Sequence, residues 1–291
     1  MGSKKEITRK GLDIRMYLQK RPLSENEKSL PLAKYYDLPI EMPDPSTMQI
    51  INAGPMDPRD VPPPERFPDI MLPPGQYGKI ETGYCVLPDG TGYLAVYKRF
   101  DPRITVQMRR WFGSWMNVYS RRTIPSEGNL RYKIWNPIEH IDHHFVNGRD
   151  GSDGVSTLET LDLGAGEEPI GSVHHTIPES EYPLYGVPEE KLKAYKAMGC
   201  SLRIAWESFD IPGSHFCVGV TRPHPLGGFE QLTREWMGYK PVDGKLVRDD
   251  YPVTEEYLKN IIIHNIMELQ HMVKFLPAVY EEYKGKPLDE D

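Results

Sequence analysis

The rhythm of apolar and polar positions changes along the chain. Near its start, Ile14–Tyr36 and Pro45–Asn52 read as short helices. From residue 81 onward, short runs bounded by turn residues read as strands. Glu81–Leu87 ("ETGYCVL") and Gly92–Tyr97 ("GYLAVY") flank "PDGT", whose Asp-Gly step predicts a β-hairpin. Val106–Tyr119 is predicted as an aromatic-rich helix despite Gly113, and Leu130–Trp135 ("LRYKIW") alternates as a strand that stops at Pro137. Further strands are predicted at Ser156–Leu163, Ile170–Thr176, Ser201–Phe209 and His215–Thr221, with a short helix at Pro188–Met198. In the last helix Thr254 is the expected cap, with Glu255 and Glu256 in the first turn. Its apolar pattern runs to Leu276, and Pro277 is expected to kink it before Tyr283.

Between the two regimes lies Gly54–Gly75, with eight prolines in 22 residues. That density excludes an interior α-helix or strand and predicts an extended connector, or an arm laid over a folded body. Nothing repeats at a fixed period. A small helical lead, many antiparallel-type strands and a long final helix make an α+β chain, not an alternating βαβ one. The expected division is residues 1–75, an N-terminal helical region with its proline-rich arm, and residues 76–291, the main domain.

Composition narrows the function classes. The 291 residues are 38% hydrophobic and 26% charged, an ordinary globular balance. A net charge of −7, from 35 basic and 42 acidic side chains, argues against nucleic-acid binding, which draws on clustered cations. No stretch approaches the roughly 18 consecutive apolar residues of a membrane span. Cys85, Cys200 and Cys217 are scattered and form no CxxC pair, which points to neither disulfides nor a zinc ribbon. With no hydrophobic signal core in "MGSKKE", the expected location is the cytoplasm.

Candidate chemistry centres on "IIIHNIMELQHM", Ile261–Met272. His264 and Glu268 stand one helical turn apart and can converge on one metal ion. Such pairs arise often by chance, but a charge set among Ile261, Ile262, Ile263, Ile266, Met267 and Leu269 is costly unless paired or coordinated. His271 lies on nearly the same stripe as a ligand, a partner orienting one, or a surface residue. Further ligands would come from the histidine-rich interval holding His140, His143, His144, His174 and His175, with Glu159, Glu167 and Glu168. Spacing does not choose among them. No GxSxG, GxGxxG, P-loop or HExxH pattern occurs.

Several segments in order, "INAGPM", "GYCVLP", "QMRRWFGSWM", "RYKIWNPIEH", "EEPIG" and "HNIMELQHMVKFLPAVYEEY", resemble the diacetylphloroglucinol hydrolase family. These are zinc-dependent C–C bond hydrolases that remove acyl groups from phloroglucinol rings, and the resemblance spans most of the chain. It implies a helix-grip (START-like) fold, a curved antiparallel sheet around a long C-terminal helix, with an N-terminal region that can take part in a homodimer. It also implies a Zn2+ held by His140, Glu168, His264 and Glu268, with Glu167 as the fallback for Glu168. The family's strand tyrosine, which contacts a ring hydroxyl, maps to Tyr132. The chain has His143 where the diacetyl type has asparagine, and it lacks clear equivalents of that type's pocket histidine and tyrosine in Ser201–Arg222. A phloretin-like substrate is therefore expected over the diacetyl compound.

On this resemblance the expected reaction is hydrolysis of an aromatic ketone to a carboxylic acid and a deacylated polyphenol. Tyr132 would hold a ring hydroxyl, His143, His144 or His271 would move a proton, and Trp135 and Trp206 would offer stacking surface. Sheet-core packing accounts for the tryptophans equally well. The rival expectation is a helix-grip carrier that binds a hydrophobic aromatic ligand without chemistry.

Overall fold

The Asp-Gly turn forms as its chemistry requires: Asp89 accepts the Thr91 amide and hydroxyl, and Gly90 takes φ +85°. The hairpin it closes belongs to a computed structural model that describes residues 6–8, 15–17, 19–147, 153–211, 213–249, 251 and 253–290. In chain order the elements begin with β1 (Glu6–Thr8), β2 (Arg15–Tyr17), α1 (Glu25–Ser29), α2 (Ala33–Tyr36) and α3 (Pro45–Asn52). The hairpin strands β3 (Gly83–Val86) and β4 (Gly92–Arg99) follow, then α4 (Val106–Trp115) and α5 (Leu130–Lys133). Next come β5 (His140–Phe145), β6 (Val155–Glu159), β7 (Ile170–Thr176) and α6 (Glu189–Ala197). The chain continues through β8 (Ser201–Phe209), β9 (Ser214–Pro223), β10 (Phe229–Met237), β11 (Tyr239–Val242) and β12 (Lys245–Arg248) to α7 (Glu255–Tyr283).

Eight strands hydrogen-bond in the order β3-β4-β10-β9-β8-β7-β6-β5 into an antiparallel sheet, so the chain is α+β with a long C-terminal helix. Thr254 caps α7 by accepting the Tyr257 amide at 3.1 Å, and the helix runs through Pro277 to Tyr283. No described helix is long and apolar enough to cross a membrane.

The chain forms two compact units. One gathers residues 1–48, 103–173 and 263–291; the other gathers 49–102 and 174–262. Both β7 and α7 pass from one unit to the other, after Val173 and Ile262.

In the first unit, aromatic side chains join α4 to the later turns of α7. Phe112 meets Phe275 at 5.4 Å, Trp111 meets Tyr280 at 5.3 Å and Trp115 meets Tyr283 at 5.5 Å. Leu130–Lys133, expected as a strand, is instead the short helix α5. Asn129 caps it, and all four of its side chains are buried, so alternation there carried no information about faces. Two of those side chains are cations that find partners. Lys133 pairs with Glu27 at 2.7 Å, and Arg131 donates to the carbonyls of Trp115 and Val118.

The second unit has its own core, which includes Phe67, Tyr93, Phe216 and Trp236. The proline-rich segment enters it through the 3-10 helix Pro64–Ile70, whose lower demand for amide donors tolerates proline where an α-helix does not. Buried Arg222 pairs with buried Glu230 at 2.6 Å and donates to the carbonyls of Leu72, Pro73 and Gln76, fixing the arm.

Candidate metal centre

All residues of this site lie in the first unit. Asn129 begins its construction. Its Oδ1 accepts the Arg131 amide, while Nδ2 donates to the carbonyls of Met116 and His143, each at 2.7 Å. One side chain thus ties the end of α4, the start of α5 and the middle of β5 together. After α5 the chain turns on Asn136, whose Oδ1 accepts the Ile138 amide and whose carbonyl accepts the His140 amide. His140 then stands opposite Glu159 in the β5–β6 ladder, and directly opposed residues share a face. A register shift between His140 and Asp142 brings His143 opposite Thr157.

From α7, His264 and Glu268 arrive one turn apart. His140 Nε2 lies 3.4 Å from His264 Nε2, 3.5 Å from Glu159 and 3.4 Å from Glu268. His264 Nε2 lies 3.8 Å from Glu159 and 3.7 Å from Glu268. Donors at 2.0–2.2 Å from a tetrahedral cation would stand about 3.3–3.6 Å apart, close to the separations measured from the two histidines. His140, Glu159 and His264 have the chemistry and spacing of a metal-holding group.

The outward nitrogens are anchored, which directs the inward ones. His140 Nδ1 donates to the Tyr132 carbonyl at 3.1 Å, and His264 Nδ1 donates to Glu139 at 2.8 Å. Burial pushes the His140 pKa down to about 3, against the field of Glu159, so that imidazole is neutral. Burial also opposes charge on His264, but Glu139, Glu159 and Glu268 outweigh it and push its pKa up to about 10. Three carboxylates thus draw one positive charge to the ring nitrogens. A divalent cation would answer the same demand.

Tyr132 stacks on His140 with centroids 3.6 Å apart, on His143 at 4.5 Å, and gives its hydroxyl to Glu159. His143 is buried, with Nδ1 2.8 Å from the Thr157 hydroxyl. Trp135 meets His140 edge-on at 5.3 Å and donates from its indole to the Glu268 carbonyl. His140, His264 and Glu268 therefore converge, with Tyr132 and His143 beside them.

Glu168 does not join them; like Glu167, it is exposed on the loop between β6 and β7. The carboxylate in its place is Glu159, the last residue of β6. Asp162 accounts for the difference: it accepts the amides of Gly164, Gly166 and Glu167 and coils the loop on itself. His271 is buried away from the cluster's donor atoms, its Nδ1 accepting the Glu41 amide at 3.1 Å. His144 pairs with Asp142 at 2.9 Å. Trp206 belongs to the second unit, where it packs against the core and stacks on His175 at 4.3 Å. Glu139 was missed from sequence, although it immediately precedes a ligand candidate.

The model of the family "DAPG hydrolase PhiG domain" matches residues 66–281. Phloretin hydrolase of Eubacterium ramulus is 25% identical over 281 residues, covering 89% of this chain and 93% of that protein. A 2,4-diacetylphloroglucinol hydrolase of a Pseudomonas species is also 25% identical, over 89% of this chain and 90% of its own length. The enzyme of that name from Pseudomonas protegens is 24% identical, with 89% and 86% covered.

Proposed function

The chain belongs to the DAPG hydrolase family, and from that premise we propose that it is a zinc-dependent hydrolase of acylphloroglucinol-type ketones. The bond cleaved joins the acyl carbonyl carbon to the ring. Water supplies hydroxyl to the acyl carbon and hydrogen to the ring carbon, giving a carboxylic acid and the deacylated polyphenol. The observation that carries the metal in this reading is the convergence of Glu159 and Glu268 on the Nε2 atoms of His140 and His264, at 3.4–3.8 Å, with those two nitrogens 3.4 Å apart.

Those four residues would hold the ion. Bound there, zinc would supply Lewis acidity for the ketone and would lower the pKa of a water to about 7. The protein's own groups do the rest. Tyr132, with its hydroxyl proton directed to Glu159, accepts a hydrogen bond from a ring hydroxyl and so orients the ring. That hydroxyl lets the ring carbon take a proton as a keto tautomer, which turns a poor leaving group into a feasible one. His143, stacked on Tyr132, moves that proton. Trp135 closes the aromatic side of the site.

A helix-grip arrangement of sheet and C-terminal helix, a catalytic domain over residues 76–291, a homodimer and a cytoplasmic location belong to the same reading. The test is incubation of zinc-loaded protein with phloretin and with mono- and diacetylphloroglucinol, reading products by mass. The expected result is the free acid with about one zinc per chain, and loss of both on chelation. A protein that binds these polyphenols without zinc and without turnover would be a carrier.

A further inference from the structure

Glu139 is completely buried, and its two carboxylate oxygens serve different parts of the molecule. Oε2 accepts from His264 Nδ1 at 2.8 Å and from Asn136 Nδ2 at 3.3 Å. Oε1 accepts the amide of Leu163 at 2.8 Å. Leu163 is itself unusual: it is buried at φ +55°, the left-handed region that a branched side chain enters at a cost of about 1–3 kcal/mol unless its surroundings hold it there. It sits where the chain leaves the sheet after Glu159. The Thr160 amide just before it donates to the Glu139 carbonyl. The loop from Thr160 to Pro169 is therefore pinned at its root by the residue that orients a metal-site histidine.

We propose that Glu139 is a positioning residue that couples metal occupancy to the conformation of the Thr160–Pro169 loop. The inference rests on the metal reading above but assigns Glu139 a task that reading does not need. An ion on His264 Nε2 strengthens the ring's Nδ1–H as a donor, which tightens its bond to Glu139 and fixes the carboxylate plane. With the plane fixed, Oε1 stays aimed at Leu163. By linkage, the loop corner then favours the ion to the same degree as the ion favours the corner.

Only a carboxylate serves here. Glutamine keeps one acceptor oxygen and turns the other into an NH2 donor, so either His264 or Leu163 loses its acceptor. Glu139→Gln tests this with two readouts besides turnover: zinc affinity by competition with a chromophoric chelator, and amide hydrogen exchange. In the wild type, chelation should speed exchange at Leu163 and its neighbours more than at amides of β8 and β9. In E139Q, zinc affinity should fall about 10–100-fold, and exchange at Leu163 should be fast with or without zinc. Zinc affinity and zinc-dependent exchange both equal to the wild type would overturn the proposal. If E139Q does not fold, the wild-type comparison decides alone: zinc bound with Leu163 exchange indifferent to chelation refutes the coupling. A wild type that takes up no zinc refutes the metal reading, which is a separate outcome.

Discussion

Replacing Asn129 tests the claim that one side chain assembles the α5–β5 half of the site. Asn129→Ala removes a helix cap, worth about 1 kcal/mol, and leaves two backbone carbonyls without their donor. The side chain is fully buried, and both bonds it gives are short, 2.7 Å to Met116 and to His143. A stranded carbonyl retains a second lone pair, so the lower end of the unsatisfied-group range applies, about 1 kcal/mol each. The sum is about 3 kcal/mol, or roughly 6–12 °C in the thermal midpoint of a chain near this size. Asn129→Asp separates the two contributions. As a cap, aspartate equals asparagine, so a capping role alone leaves stability nearly unchanged. Here aspartate would also turn a carboxylate oxygen toward two carbonyl oxygens. N129D should therefore be at least as destabilised as N129A in thermal and urea unfolding. An N129D protein within about 0.5 kcal/mol of the wild type would refute the reasoning.

Three other outcomes follow from the structure. Glu159→Gln should lose stoichiometric zinc and turnover while Glu168→Gln keeps both, and metal analysis showing the reverse would restore Glu168 as a ligand. Burial, with Lys20 and Lys274 nearby, pushes the His271 pKa down to about 4 from 6.5, so the folded state disfavours its charged form. That stability is full above pH 6.5 and is lost as pH falls toward 4, by at most about 3 kcal/mol; His271→Gln should flatten the stability–pH curve across that window. Gly128→Ala should destabilise strongly, because Gly128 has φ +86° and a Cβ there would lie 2.3 Å from the Ile141 carbonyl oxygen; a melting temperature equal to the wild type's would contradict it.

The sequence was most legible where one local rule dominated. Pro45–Asn52, Ile170–Thr176 and Ser201–Phe209 are elements with the boundaries that pattern alone suggested. The strand Phe229–Met237 escaped because Glu230 and Arg234 point into buried surroundings and break the alternation. His140–Phe145 escaped for a similar reason, since "HIDHHF" has the polarity of a turn. In the site, His264 and Glu268 were readable because helical spacing is local. That Glu159 and not Glu168 lies beside the histidines depends on the β5–β6 register and the Asp162-coiled loop, which are tertiary facts. Glu139 was hidden by adjacency: it precedes His140 in the sequence but bonds the ring of His264, which comes from α7.

The candidate metal centre would also have a place in the order of folding. Glu159 and His264 are separated by 105 positions, the difference of their residue numbers. His140 and Glu159 can pair as soon as a local hairpin forms, but two donors hold a divalent ion weakly. The other pair comes from α7, which follows β8, β9 and β10 in the chain. An ion cannot nucleate such a fold, because closing a loop of that length costs entropy before the last two ligands return anything. It can only latch a chain that has already folded, so zinc should slow unfolding while leaving the rate of folding nearly unchanged.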